Sequence, residues 1–341
     1  MNNISTFTGI NSSLLAFFLT FFVLILLRKI SFYIGLVDIP NSRKTHTSKI
    51  PLIGGIAIFL GVFFSLLILQ RISDYDNLFY MLGGLVLLGS LDDFMDLSYF
   101  FKFFCEILLC SLFVIFNEFY INNFLNLEAY ILYELFTIIF MVALINSINM
   151  LDGIDGLAGG FTVIVFFLIG IISLACHFYE NILLIYLFGG ALASFLLFNI
   201  RFPWRCNALV FLGDAGSILL GFMLAWLSIS LSHKVNFINI LWSLALPLWD
   251  MTRIVIVRLL SGKHPMKADC QHLHHLLQSK GFSVSQTLFI ILSITVISSG
   301  IGISGWFYEI PIQLMWFSFL MLFFLYCYIV NYLTKKTLDN F

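Results

Sequence analysis

Charged residues are scarce in this sequence. Only 10% of its 341 residues are Asp, Glu, Lys or Arg, while 61% are hydrophobic. Soluble domains carry about a quarter charged residues, so a surface this poor in charge is not suited to water. The composition excludes an ordinary water-soluble protein and indicates a chain whose surface contacts lipid.

Cysteine pairs at metal-binding spacing are also missing. The six cysteines include no C-x-x-C pair, and four of them lie inside apolar runs. Such residues pack as small apolar side chains, so we expect neither a disulfide nor a zinc site.

Long apolar runs, by contrast, are abundant. A bilayer core about 30 Å thick needs roughly 20 apolar residues per helix. On that criterion the predicted spans are residues 11–27, 51–70, 78–91, 99–116, 130–148, 157–176, 183–200, 210–231, 237–257, 286–305 and 312–333. The predicted fold is an all-α integral membrane protein, a bundle of about 11 transmembrane helices that forms a single polytopic domain over residues 1–341.

Lysine and arginine predict the orientation of the bundle. With the N-terminus outside, 15 of the 17 basic residues fall on the inner side, and only Arg71 and Lys234 fall on the outer side. Cytoplasmic loops of membrane proteins carry such an excess. We therefore expect the N-terminus outside and the C-terminus in the cytoplasm.

Aspartate and histidine show the same asymmetry, which the positive-inside rule does not explain. Ten of twelve aspartates and five of seven histidines fall at the predicted inner face. They are concentrated in a few short segments, and this concentration indicates that the inner face carries chemistry.

The first segment is Asp92-Asp93-Phe94-Met95-Asp96, at the inner end of the third span. On a helix Asp92 and Asp96 share a face, with Asp93 beside them. Such carboxylates repel one another unless a cation lies among them, and hard oxygen ligands suit Mg²⁺ bridged to phosphates. The alternative is a solvated loop that ends the helix.

Two further aspartate segments contain glycines, which permit close approach of a ligand to the backbone. Asn149, Asp152 and Asp155 lie in N-M-L-D-G-I-D-G, between two apolar runs. Asp214 lies in G-D-A-G-S at the start of the eighth span, and Asn199 ends the span before it. A plainer explanation for both segments is a turn whose aspartates cap the next helix.

The long loop after the ninth span combines basic residues with histidines. It holds Arg258, Asp269, His272, His274 and His275. Without a cysteine pair or a glutamate at zincin spacing, these histidines suit an anionic phosphate better than zinc. A solvated loop stays open as the alternative.

Two more features belong to the same face. Arg43, Lys44 and His46 follow the first span, where basic residues bind lipid headgroups or simply fix the topology. Asp250 lies within or near an apolar run, where a carboxylate is costly and therefore a functional candidate.

Together these segments supply carboxylates for a divalent metal and cations for phosphates, which phosphoryl transfer requires. An ion-coupled secondary transporter is the rival interpretation. Transporter sites lie near the membrane midplane between inverted repeats, whereas the charged motifs gather at one face and no such repeat is evident in this sequence.

In the order and spacing of these motifs, from about Asp38 to His275, the sequence resembles the polyprenyl-phosphate N-acetylhexosamine-1-phosphate transferases. The histidine motif has the His-x-His-His form, with Leu273 interrupting the run. This form, and the segment 247–251, resemble the bacterial undecaprenyl-phosphate N-acetylglucosamine-1-phosphate branch more closely than the muramoyl-pentapeptide branch.

The resemblance implies roles for individual residues. Asp92 and Asp93 match paired aspartates linked to catalysis and to the lipid phosphate, and Asp155 and His272 are also expected to be catalytic. Asp214 matches a magnesium-ligating aspartate. The candidates for substrate binding are Asn149, Asp152, Asn199, Arg258, Asp269, His274, His275, Arg43, Lys44 and His46.

The implied reaction transfers N-acetylglucosamine 1-phosphate from UDP-N-acetylglucosamine to undecaprenyl phosphate and releases UMP, as the initiating step of O-antigen or another surface glycan. Another UDP-N-acetylhexosamine donor stays open. Mg²⁺ is the expected cofactor, with Mn²⁺ as its alternative, and direct attack is favoured over a covalent phospho-aspartate.

The implied location is the bacterial inner membrane, as a multi-pass protein with its active site facing the cytoplasm. The expected partners are the two substrates and membrane lipid, with no nucleic acid. Whether the chain forms a homodimer is left open.

Overall fold

The computed structural model describes residues 2–40, 48–121, 130–179, 181–205, 207–262 and 271–338, without the side chains of residues 2–8 and 335–338. Thirteen α-helices occur in these residues: α1 (Asn2–Ile34), α2 (Gly54–Ile68), α3 (Asp76–Met95), α4 (Tyr99–Asn117), α5 (Tyr130–Leu151), α6 (Leu157–Ala175), α7 (Ile182–Asn199), α8 (Gly213–Ser232), α9 (Phe237–Leu241), α10 (Ala245–Leu260), α11 (Leu273–Ser279), α12 (Val284–Phe307) and α13 (Ile312–Leu338). Two short strands, β1 (Val37–Asp38) and β2 (Ile50–Pro51), form an antiparallel pair.

Ten stretches of helix in the described part of the chain are long and apolar enough to cross a bilayer. The prediction of an all-helical, multi-pass membrane protein is therefore confirmed. The predicted span over residues 51–70 corresponds to α2, which has only 15 residues. At 1.5 Å per residue α2 is about 22 Å long, shorter than a bilayer core. The total of eleven spans and the orientation of the termini stay predictions.

Helix α8 is the central element of the bundle. In the most apolar continuous stretch of 18 residues, 94% of the residues of α8 are buried, compared with 11% in the corresponding stretch of α13. It packs against α2, α3 and α5. A Cβ atom on Gly55 would lie 2.1 Å from the Gly216 backbone nitrogen, and one on Gly89 would lie 2.4 Å from the Ala215 Cα. This close packing brings α2 and the end of α3 against the start of α8.

The backbone that leads into α2 also contacts the backbone that leads into α8. Leu52 and Phe211 form a parallel bridge. The N–H groups of Gly54 and Gly55 donate to the carbonyl oxygens of Phe211 and Leu212, at 3.0 and 2.9 Å. These bonds use donors that the first turn of a helix leaves without a partner.

The span Phe237–Leu260 is not one continuous α-helix, because a 3-10 turn at Trp242–Leu244 separates α9 from α10. Aromatic rings pack this region against α13, with the Trp249 and Phe319 ring centroids 5.0 Å apart. The last helix is therefore placed against the helix that carries Asp250.

Candidate active site

The predicted site residues come mainly from the ends of α3, α5 and α8. Helix α3 ends at Met95, and Asp96 follows in a left-handed conformation with φ +53° and an exposed side chain. Asp92 is 9% exposed and Asp93 is partly buried. Asp96 would share a helical face with Asp92 only if the helix continued, and this condition is not met because α3 ends before Asp96.

Lys102, at the start of α4, joins two of the aspartates. Its Nζ donates to Oδ2 of Asp92 at 2.6 Å and to Oδ2 of Asp214 at 2.8 Å. The other oxygen of Asp92 accepts the N–H of Leu97 at 2.9 Å. One ammonium group thus holds together carboxylates that would otherwise repel each other.

Asp214 remains the most open of these charged groups. Its side chain is 33% exposed, whereas those of Asp92 and Lys102 are 7% and 16% exposed. Asn149 at the end of α5 donates to Oδ1 of Asp214 and to Oγ of Ser217, each at 2.8 Å. Asn149 therefore orients Asp214 while leaving part of its carboxylate accessible to a ligand.

Asp93 caps α8 from outside that helix. Its Oδ1 accepts the N–H of Asp214 at 2.9 Å, and its Oδ2 accepts the N–H of Ala215 at 3.2 Å. A negative charge at a helix N-terminus is stabilising. The cap thus comes from Asp93, and the side chain of Asp214 is directed to Lys102 and Asn149 instead.

Asp152 and Asp155 lie in the turn between α5 and α6, where Gly156 has φ +83°. Asp155 is buried and pairs with Arg201 Nε at 2.7 Å. Asp152 is partly exposed, and no described residue donates a hydrogen bond to its carboxylate. Desolvation, followed by the charges of Asp214, Asp93 and Asp155, raises the pKa of Asp152 to about 8.

Asn199 supports this turn through the backbone. Its Oδ1 accepts the N–H of Gly156 at 2.7 Å, and its Nδ2 donates to the carbonyl of Val210 at 2.9 Å. Asn199 is 5% exposed. Its amide thus joins the turn that carries Asp155 to the segment before α8, and its predicted contact with substrate stays a prediction.

The histidine motif packs onto the same turn. His272 Nδ1 lies 2.8 Å from Asp250 Oδ2, and the rings of His272 and His274 are parallel, with centroids 5.8 Å apart. A Cβ atom on Gly153 would lie 2.0 Å from His274 Nε2, so a side chain at this position would displace the ring. Burial lowers the pKa of His274 to about 3, which keeps its imidazole neutral.

Several predicted residues are thus close together, and others are not described. His275 packs on His274, with ring centroids 4.2 Å apart, and Arg258 is buried near the end of α10. Arg43, Lys44, His46 and Asp269 lie outside the described residues. The roles assigned to individual residues stay predictions.

Sequence reasoning missed Lys102 and Arg201 as partners of the aspartates. Lys102 follows Phe101 within a predicted span, where an ammonium group is costly without a partner. That cost was a usable signal. Arg201 gave no comparable signal, because an arginine at the end of a span also fits a simple role in topology.

The carboxylates of this site are candidate ligands for Mg²⁺. In the part of the chain that the structure describes, no group of three or more His, Cys, Asp or Glu side chains converges on one point. Protein sites often hold Mg²⁺ with only one or two carboxylates, and phosphates and water complete the shell. Asp214 and Asp152 fit that pattern. The carboxylate of Asp214 is accessible, and the pKa of Asp152 is raised by desolvation first and then by neighbouring carboxylates, which a bound cation would offset.

Comparisons with known proteins identify the family of this chain. Residues 76–232 match glycosyl transferase family 4. The chain is 33% identical to the undecaprenyl-phosphate alpha-N-acetylglucosaminyl 1-phosphate transferase of Haemophilus influenzae, over 93% of this chain and 92% of that protein. The enzymes of the same name from Pasteurella multocida and Escherichia coli are 34% and 32% identical, over 94% of this chain and 93% and 91% of theirs.

The helical bundle and the aspartate site therefore define a multi-pass membrane enzyme, a glycosyl-1-phosphate transferase. The chain belongs to glycosyl transferase family 4, together with the undecaprenyl-phosphate alpha-N-acetylglucosaminyl 1-phosphate transferases. These relatives give no support to the alternative of an ion-coupled transporter.

Proposed function

We propose that the protein transfers N-acetylglucosamine 1-phosphate from UDP-N-acetylglucosamine to undecaprenyl phosphate and releases UMP. The donor and acceptor follow from relatives that this chain matches over more than nine-tenths of their length. The product would initiate a surface glycan such as O-antigen. Another UDP-N-acetylhexosamine is the alternative donor.

The observation that carries this proposal is the pairing of Asp214 with Asp92 through Lys102, beside Asp152. The cluster combines an accessible carboxylate with surplus negative charge, which fits a divalent cation bridged to a diphosphate. Mg²⁺ would be held by Asp214, and by Asp152 once that carboxyl is ionised. When bound, the ion neutralises charge on the diphosphate and polarises the attacked phosphorus.

The reaction would proceed by attack of a lipid phosphate oxygen on the phosphorus that carries the sugar. A new phosphorus–oxygen bond forms, and the bond from that phosphorus to the bridging oxygen breaks, so that this oxygen leaves on UMP. A phosphate monoester has its second pKa at about 6 and is already largely ionised. No strong base is needed, so positioning of the two substrates and stabilisation of the developing charge would supply the rate.

Direct attack by the lipid phosphate agrees with the surroundings of the paired aspartates. Both oxygens of Asp93 accept backbone N–H groups, and both oxygens of Asp92 are also hydrogen-bonded. A carboxylate engaged in this way is a poor nucleophile. We therefore assign Asp92 and Asp93 to organising the site rather than to forming a phospho-enzyme.

The site would face the cytoplasm of a bacterium, in its inner membrane. The charge asymmetry supports this orientation, with 15 of 17 basic residues on the side of the aspartate motifs. At this face the water-soluble nucleotide sugar would meet the phosphate of a lipid whose tail lies within the bilayer.

A donor panel tests the proposal directly. Purified protein in detergent is given undecaprenyl phosphate, Mg²⁺ and one of several UDP-N-acetylhexosamines, and UMP release is measured. UDP-N-acetylglucosamine should give the highest kcat/KM. A higher value with another donor would replace the proposed sugar, and no release with any donor would refute the proposed reaction.

The variant Asp214→Asn tests the carboxylate that carries the proposal. Loss of the charge should lower UMP release by about 100-fold or more, the usual scale for removing a group that stabilises developing charge. Asp74→Asn is the matched control, because Asp74 is exposed and pairs with Arg71 before α3 begins. Activity retained in folded Asp214→Asn protein would exclude Asp214 as an essential ligand.

A further inference from the structure

A cluster of buried polar side chains lies where α10 and α13 pack together. Asp250 and Arg253 belong to α10, and their exposed fractions are 7% and 1%. Tyr326 belongs to α13, and His272 directly precedes α11. Charged side chains inside a membrane protein are costly, so they persist where they have a function or a complete set of partners.

The carboxylate of Asp250 is surrounded by hydrogen-bond donors. Its Oδ1 accepts from the Tyr326 hydroxyl at 2.7 Å and from Arg253 Nη2 at 3.4 Å. Its Oδ2 lies 2.8 Å from His272 Nδ1 and 3.5 Å from the N–H of Leu273. An ionised carboxylate can only accept a hydrogen bond. The proton between Asp250 and His272 therefore resides on Nδ1 of the histidine.

Arg253 holds the same histidine segment from a second side. Its Nη2 donates to the carbonyl of Gln271 at 2.5 Å, and its Nη1 donates to Asn331 of α13 at 3.2 Å. The residue before His272 and the ring of His272 are therefore both attached to α10. Helix α13 reinforces both attachments, through Tyr326 and Asn331.

The histidine held in this way contacts the aspartate turn through its neighbour. The His272 ring stacks in parallel on His274, which packs against Gly153 beside Asp152. A change in the position or tautomer of His272 would thus alter the packing of His274 against the turn where the nucleotide sugar is expected to bind.

We propose that Asp250 is a positioning residue for the transfer reaction, held in place by Tyr326 of the last helix. It keeps the proton of His272 on Nδ1, so that proton exchange occurs only at Nε2. Nε2 can then take the proton of a singly protonated substrate phosphate and hold it as an N–H donor to that phosphate oxygen, with Asp250 balancing the imidazolium charge. The proposal rests on the proposed function only in assigning His272 to the substrate phosphates.

A double-mutant cycle distinguishes positioning from simple structural support. Asp250→Asn should lower kcat by about 10- to 100-fold, as removal of a carboxylate behind a functional histidine does, with KM for the nucleotide sugar changed less than about threefold. In the His272→Gln background the same change should have no further effect, because residues that act as a unit are not additive. Losses that multiply would show that Asp250 acts independently and would overturn the proposal.

Tyr326→Phe tests the support from α13 and serves as the second variant if Asp250→Asn does not fold. It removes one donor and should lower kcat several-fold without a change in KM. Tyr328→Phe is the matched control on the same helix, because Tyr328 is 71% exposed and should leave the rate unchanged. Equal rates for Tyr326→Phe and wild type would exclude a contribution from α13.

A spectroscopic readout keeps this test separate from the choice of donor sugar. Nitrogen-15 histidine labelling and solid-state NMR of the protein in bilayers report the tautomer, and His272→Gln identifies the signal of His272. The wild type should show a protonated Nδ1, and Asp250→Asn should shift the population towards a protonated Nε2. A neutral His272 with its proton on Nε2 in the wild type would refute the proposal, whatever the donor panel gives.

Discussion

At the scale of single residues, one ammonium group pairs with two carboxylates of the candidate active site. Lys102 contacts both Asp92 and Asp214, while Asp93 and Asp152 lie close enough for their charges to interact with that of Asp214. The ammonium group pairs with only two of these four carboxylates, so the cluster keeps a surplus of negative charge when they are ionised. That surplus fits a site that binds a cation together with its anionic substrates.

Replacing this lysine should therefore disrupt both stability and activity. Lys102→Gln leaves two largely buried carboxylates without their cation. We expect a loss of about 2–3 kcal/mol in the free energy of unfolding, below the value for a fully buried pair because Asp214 is one-third exposed. Thermal unfolding in detergent and UMP release measure the two effects. Lys280→Gln, an exposed lysine in the chain segment after α11, should change neither, and equal melting temperatures for both variants would contradict this prediction.

Asp152 predicts a specific dependence of stability on pH. The folded protein raises the pKa of Asp152 to about 8, whereas an unfolded chain keeps it near 4. The folded state thus binds this proton more tightly, and the contribution of Asp152 to the free energy of unfolding should fall as the pH rises from about 4 to 8 and then level off. In chelator without divalent cations, the melting temperature of the wild type should fall relative to that of Asp152→Asn between pH 5 and 8. A constant difference over this range would contradict the raised pKa.

At the scale of elements, the start of α8 organises the site. Gly213 there has φ +72°, and a Cβ atom at this position would lie 2.6 Å from Asp93 Oδ2. Glycine is thus required both for the backbone conformation and for the approach of the capping carboxylate. The cap joins α3 to α8 and sets the distance between Asp93 and Asp214.

Gly213→Ala should weaken this junction. The positive φ and the contact with Asp93 together should lower the free energy of unfolding by about 1–3 kcal/mol, and UMP release should fall with it. Gly83→Ala in α3 is the control, because its Cβ would meet only a ring carbon of Phe59 at an ordinary 3.7 Å. The melting temperature and the activity of the two variants are compared. Wild-type values for Gly213→Ala would show that the cap tolerates displacement of Asp93.

At the scale of the whole molecule, the orientation of the bundle determines which compartment the site faces. The charge asymmetry predicts Lys234 outside and Lys280 inside. Each is exposed in the structure, so a cysteine at either position is accessible to a reagent on its own side.

Single-cysteine labelling tests this topology. In a variant without the six native cysteines, Lys234→Cys should react with a membrane-impermeant maleimide in intact cells, and Lys280→Cys should react only after the membrane is opened. Retained UMP release shows that the background variant is folded. The opposite labelling pattern would reverse the orientation and move the site to the outer face.

The sequence alone predicted a membrane-spanning chain and identified its candidate polar motifs, because apolar run length and local motif chemistry are properties of neighbouring residues. Packing decided how those motifs combine. Asp96 lies beyond the end of α3. Asp93 accepts the N–H of Asp214, 121 positions away, and so caps α8, and Lys102 donates to Asp214, 112 positions away. Such partners depend on which helices lie side by side, and no local pattern encodes that choice. The charged residues illustrate this division. The composition showed how few of them there are, and only the tertiary structure showed which of them pair.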